Sequence, residues 1–168
     1  MFFYELEHGA WGLDLKDAGS SVVVHESGPA VAGTEPDDLI KEARFPAYPV
    51  GFAAHLSFPS PGRIPIDWKR FNSASSRAFD EAVEALRPPA PVHQIGGYPN
   101  PVQGDDMEGE CASLIGGIAS EWRLLLQLDT DDDAGMMWGD MGSIYFWVRE
   151  RDARARDFSR IWMILQCS

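Results

Sequence analysis

Four aspartates in the last third of the chain have the spacing of a cation loop. Within Trp122 to Val148, WRLLLQLDTDDDAGMMWGDMGSIYFWV, Asp129, Asp131 and Asp133 take positions 1, 3 and 5 of a loop and Asp140 takes position 12. Carboxylates at alternate positions can converge on one hard cation through oxygen, and the spacing overlaps the calcium loop pattern. Position 6 is Ala134, with the glycine displaced to Gly135, and the flanks read as strands. A Ca2+ site here would be a hairpin loop rather than an EF-hand. The same residues also suit a plain polar hairpin tip, where Asp and Gly are favoured for turn geometry alone.

A second set, His93, Gln94, Tyr98, Gln103, Gln127 and Asp140, offers general-base and hydrogen-bonding chemistry. His93 paired with Asp140 would form a general-base pair. Gln94, Tyr98, Gln103 and Gln127 would supply donors and acceptors to a ligand. Trp138, beside Met136 and Met137 in MMWGDMG, would add an aromatic and thioether wall. In a strand, Gln127 and Asp129 share one face, opposite Leu126 and Leu128. A glutamine in an otherwise apolar strand has to be hydrogen-bonded if buried. The competing reading of this set is therefore a structural network that fixes turns, with Trp138 to Gly142 a packed corner in which Asp140 caps backbone N–H groups.

Other chemistries lack their signatures. There is no phosphate-binding glycine loop, dinucleotide fingerprint, zinc-protease helix motif or nucleophile elbow. Cys111 and Cys167 are the two cysteines, with no CxxC pair, and read as two buried thiols rather than a metal site. His8, His25 and His55 stand alone as ordinary surface or core histidines.

The net charge is −12, and the stretch from Asp105 to Asp140 holds ten acids against one base, Arg123. Such a field repels phosphate backbones and anionic lipid, so neither nucleic acid nor membrane is an expected partner. MFFYELEHG has no basic leading region and too short an apolar stretch for a signal peptide. The expectation is a cytoplasmic location.

The elements that must position these residues follow from patterning. Strands are expected at Phe2 to Leu6, Val22 to His25, Val50 to Phe58, Val92 to Ile95, Trp122 to Leu128, Ser143 to Val148 and Ile161 to Cys167. Gly28 to Pro36 reads as a loop, and Asp37 to Ala43 as one or two helical turns. Ser76 to Leu86 reads as a helix capped by Ser75 or Ser76, with Phe79, Ala82, Val83 and Leu86 on one stripe. A second helix starts near Asp105 with Glu108 completing a capping box and Met107, Cys111, Leu114, Ile115 and Ile118 inward. A third spans Arg149 to Phe158. About seven strands and three helices without regular alternation give an α+β fold with mainly antiparallel sheet, in a single domain over residues 1–168.

Three blocks carry a resemblance: HQIGGYPNPVQGDDMEGEC (His93 to Cys111), the Trp122 to Val148 stretch, and DFSRIWMILQCS (Asp157 to Ser168). Together they resemble the YwqG-like family, bacterial proteins of unknown function. FFYELEHGAWGLDLKDAGSSVVV resembles the middle of that family's domain, so the resemblance covers nearly all of the chain. It implies that an N-terminal portion is missing and that strand Phe2 to Leu6 exposes an unpaired edge prone to self-association. It supplies no catalytic residues, and it implies a regulatory or immunity-like role.

The resulting expectation is a non-enzymatic protein that acts by binding a protein partner or a small ligand. The competing one is a hydrolase using His93 and Asp140, with a divalent cation at the 129–140 turn.

Overall fold

The computed structural model describes all residues except 30–32 and 35, so part of the loop expected between Gly28 and Pro36 lies outside the described residues. The fold is α+β, with two antiparallel sheets and three α-helices among the described residues. β1 (Phe2–Tyr4) and β2 (Ser21–Val23) form one sheet. The other has the order β3-β4-β5, from β3 (Trp122–Asp129), β4 (Ser143–Arg149) and β5 (Trp162–Gln166). The helices are α1 (Ser73–Leu86), α2 (Met107–Ile115) and α3 (Glu150–Ala155).

One irregularity in β3 decides which face each site residue occupies. Leu124 lies opposite Trp147 and Leu126 opposite Phe146, so Leu125 is an extra residue, a β-bulge. Strict alternation would put Leu124 and Leu126 on the same face; the bulge puts them on opposite faces. Trp122 and Leu124 pack with Tyr145, Trp147, Trp162 and Ile164 beneath Met107 and Cys111 of α2. Leu126 joins Ile144, Phe146, Met163, Leu165 and Trp138 on the other face, beneath Tyr4 and Val23 of the small sheet. Beyond the bulge, Gln127 and Asp129 lie opposite Tyr145 and Ser143, and Gln166 of β5 also faces Ser143. The α2 side of the sheet thus begins apolar and ends polar.

Both edges of this sheet are covered. Gln94 exchanges two backbone hydrogen bonds with Gln127 of β3, at 3.0 and 2.9 Å. On the far edge, the Leu165 N–H donates to the carbonyl of Trp11, and the Trp162 indole to the carbonyl of Gly12. Gly12 has φ +74°, and a Cβ there would stand 1.8 Å from the Met163 carbonyl oxygen, so no side chain fits. Arg149, buried at the end of β4, donates to the carbonyls of Ile115 and Gly116 at 2.8 and 2.7 Å, with its guanidinium 5.1 Å from the Trp122 ring. A buried cation thereby closes the negative end of α2.

Several expectations need correction. Among the described residues five strands form rather than seven. Val50 to Phe58 makes no strand: among the described residues no strand pairs with it, and Val50 and Phe52 are 78% and 83% exposed. Val92 to Ile95 contributes only the single bridge at Gln94. β1 ends at Tyr4, short of Leu6, and β2 at Val23, short of His25. The turns expected from Asp37 reduce to a 3-10 turn at Lys41–Ala43. α1 begins earlier than expected because Asn72 is its cap, accepting from the Ser75 N–H at 2.9 Å. Its stripe is only half-covered at Phe79 and Val83, and Leu86 is exposed. α2 starts at Met107 without the expected side-chain capping bond, and Ile118 lies exposed beyond its end. α3 ends at Ala155, where Arg156 takes a left-handed conformation. No helix among the described residues is long and apolar enough to cross a membrane.

Candidate functional site

The polar end of the α2 face is built from side chains that hold one loop. Gln127 is completely buried on β3. Its Oε1 accepts from the Asn100 N–H at 2.9 Å, and its Nε2 donates to the Asp129 carboxylate at 3.1 Å and the Val92 carbonyl at 3.3 Å. Gln94 donates to the carbonyls of Tyr98 and Gly96 at 2.6 and 3.3 Å. From β5, the Gln166 Oε1 accepts from the N–H groups of Val102 and Gln103, while its Nε2 donates to the Gly104 carbonyl. The Tyr145 hydroxyl donates to the Asn100 carbonyl at 2.8 Å, and burial pushes its pKa up to about 12. Three glutamines and a tyrosine therefore secure the backbone of residues 96–104. This loop, rich in Gly and Pro, has no ladder of its own, so its N–H and C=O groups need these side chains.

Asp129 belongs to the same network. Its carboxylate accepts from Gln127 Nε2, from the Ser143 hydroxyl at 2.6 Å and from the Val92 N–H at 2.7 Å, and its carbonyl accepts from the Trp138 indole at 3.0 Å. Asp131 accepts from the Ala134 N–H and pairs with His93 Nε2 at 3.0 Å. The bond from His93, reinforced by the Ala134 amide, holds the Asp131 carboxyl below the usual carboxylate range. Asp131 and Met136 exchange backbone bonds around Asp132 to Gly135, and Gly135 takes φ +67° to close the turn. The displaced glycine is thus a turn requirement.

The calcium-type loop is not assembled as expected. Among the described residues, no three of Asp129, Asp131, Asp133 and Asp140 bring ligand oxygens within 4.8 Å of one another; the set that does so is Glu5, Glu7 and His8, on the surface. Asp129 and Asp131 are turned to internal hydrogen bonds, while Asp133 and Asp140 face solvent.

The pairing of His93 with Asp140 is corrected as well. The His93 ring pairs with Asp131, and its Nδ1 accepts from the Asp129 N–H at 3.2 Å. That bond fixes the tautomer, with Nε2–H donating to Asp131. Both ring nitrogens are then occupied, and neither is open to take a proton from a substrate. Asp140 sits at the hairpin corner, where its carbonyl accepts from the Ser168 N–H. Trp138 is buried against Tyr4 and Phe45 rather than open to a ligand. Gln103 enters the network through its backbone, and Tyr98 through both its backbone groups, while both side chains are exposed.

The feature missed by sequence reasoning is a cleft of about 750 Å3 on the opposite face of β3. Its floor is Leu126, Leu128 and Met136, with Phe2 and Ile95 at the sides. Residues 48–55, the segment expected to be a strand, form the outer wall. This strap is secured at its ends. Phe45 packs its ring on Trp138, His55 Nε2 donates to Gln94 Oε1 at 3.3 Å, and the Ser57 hydroxyl accepts from the Tyr98 N–H at 2.9 Å. Farther along, the Arg63 guanidinium bonds both carboxylate oxygens of Glu108 and the Asp105 carbonyl, fixing this stretch to α2. His93 and Asp131 stand at the rim. Cys111 is buried outside the cleft, and burial pushes its thiol pKa up, which removes it as a nucleophile.

The fold and the network together define an α+β domain whose polar side chains order a loop and whose opposite face carries a cleft. The chain belongs to the DUF1963 family, a domain of unknown function, whose sequence model matches residues 1–167. That match lends no support to a missing leading portion. A search of curated proteins finds no match to the chain.

Proposed function

We propose that this protein works by binding rather than by catalysis, and that the cleft under the 48–55 strap is its binding site. The carrying observation is the cleft itself: about 750 Å3, floored by Leu126, Leu128 and Met136, with His55, Ser57, His93, Gln94 and Asp131 as the few polar side chains of its lining. Binding sites have this make-up, an apolar body with a few polar groups that set orientation. The catalytic alternative is weaker, because both nitrogens of His93 are occupied, by Asp131 and by the Asp129 N–H, so its ring is not paired with Asp140. A YwqG-like affiliation, with a regulatory or immunity-like role, is compatible with a binding site that carries no assembled catalytic group.

The test is a titration with Nile red, a neutral apolar dye whose emission shifts when it leaves water. Ile95 and Phe52 are exposed, so Ile95→Asp and Phe52→Ser leave the core intact. Either change is expected to weaken dye binding about tenfold, the scale of losing one apolar anchor. Equal binding by wild type and both variants would remove the cleft as the site.

A further inference from the structure

We infer that the cleft takes an extended, basic peptide segment, added as a strand beside Gln94; this rests on the binding reading above. The first ground is the open backbone along the cleft. Gln94 turns its N–H and C=O towards β3. In an antiparallel ladder the residues on either side turn theirs the opposite way. Those residues are His93 and Ile95, and among the described residues their backbone N–H and C=O groups have no hydrogen-bond partner. Both residues line the cleft. Across it, the backbone of residues 50–54 is likewise unbonded. An unpaired edge facing an open slot is the geometry of strand addition, in which the ladder provides affinity and alternate side chains provide specificity.

The second ground is what alternate side chains would meet. Side chains pointing to the cleft face meet Ile95 and the strap residues Val50 and Phe52, which lead to the apolar floor of Leu126, Leu128 and Met136. One end of the slot reaches Asp131 at the base of the turn, with Asp132 and Asp133 exposed beside it. The chain as a whole carries −12. A segment with alternating apolar residues and a Lys or Arg towards that end complements both features, and an acidic segment is repelled. His93 keeps its ring on Asp131, so the basic side chain is met by the rim as a whole rather than by one free carboxylate.

The experiment is selection of a random heptapeptide display library on the intact chain, followed by binding of the enriched peptides made synthetically. The expected result is enrichment of alternating apolar sequences bearing Lys or Arg. Those peptides should slow amide exchange at His93 and Ile95 about tenfold or more, as a formed ladder bond does. Ile95→Pro removes a donor that has no partner among the described residues, and should weaken binding about tenfold. The double change Asp132→Asn with Asp133→Asn should weaken it severalfold at low salt and little at high salt. No enrichment, enrichment of acidic peptides, or binding indifferent to Ile95→Pro would each overturn the inference. So would a concentration-dependent dimer abolished by Ile95→Pro, which would make a second copy the occupant. Nile red binding without peptide selection would sink the peptide alone; loss of both would sink the cleft.

Discussion

Gln127 is the one completely buried glutamine of the network. It has no exposed surface and satisfies groups on Asn100, Asp129 and Val92 at once. Replacing it with Ala leaves these buried groups unpaired, and the expected loss is about 2–3 kcal/mol in chemical denaturation. Gln127→Glu should be worse, since it sets a second buried carboxylate against Asp129, and its deficit should shrink as pH falls and one of the pair protonates. A Gln127→Glu protein as stable as wild type at neutral pH would show that the network is looser than described.

At the same scale, Asp131 gives a pH signature. Its native carboxyl pKa is lowered, chiefly by the bond from His93. A lowered carboxylate stabilises the native state above its unfolded pKa of about 4, and this contribution is lost as pH falls through the native value. Carbon-detected NMR titration should place the Asp131 midpoint below the ordinary range, and His93→Ala should raise it. At the alkaline end the sign reverses. Tyr145 and Tyr4 are both pushed up to about 12, by burial first. Their contribution is complete below the unfolded tyrosine pKa of about 10 and is lost as pH rises through about 12.

At the scale of elements, the strap should be the first segment to yield. Its backbone between residues 50 and 54 has no hydrogen-bond partner among the described residues, and Val50 and Phe52 are exposed. Such segments open locally at little cost, whereas β3 to β5 are paired and buried. Limited chymotrypsin digestion should cut first at Phe52 or Leu56, with the 122–166 sheet persisting, and a cleft ligand should slow that cut. First cleavage inside β3 to β5 would contradict this order of stability.

The elements also show how far the sequence could be read. The α+β class and the β3 and β4 strands follow from apolar runs bounded by turn residues, and the shared face of Gln127 and Asp129 follows from alternation. The bulge at Leu125 does not, because three consecutive leucines fit either face equally well. Val50 to Phe58 has strand-like residues but no partner strand, and pairing is a tertiary fact that local pattern does not contain. The cleft was illegible for the same reason: Phe2, Phe52, Ile95 and Leu126 are far apart in sequence and meet only in the fold. The aspartate spacing was legible but ambiguous, since turn geometry and cation binding ask for the same residues.

For the whole molecule, the two faces of the central sheet have different work. The α2 face uses its polar end to hold residues 96–104, and that loop leads directly into α2. The opposite face carries Arg123 beside Val148 at one end and is apolar from Leu126 onward, where the small sheet, Trp138 and the strap cover it except where the cleft opens. Function assigned to the cleft therefore leaves the glutamine network as the scaffold that fixes one of its walls, through Gln94 and residues 96–97. The most direct measurement is methyl NMR on the intact chain during Nile red titration. Binding in the cleft predicts shifts at Ile95, Leu126, Leu128 and Met136, with Leu114 and Ile164 of the α2 side unmoved. Shifts confined to α1, to the outer face of the small sheet or to the α2 side, or no saturable shift at all, would contradict it.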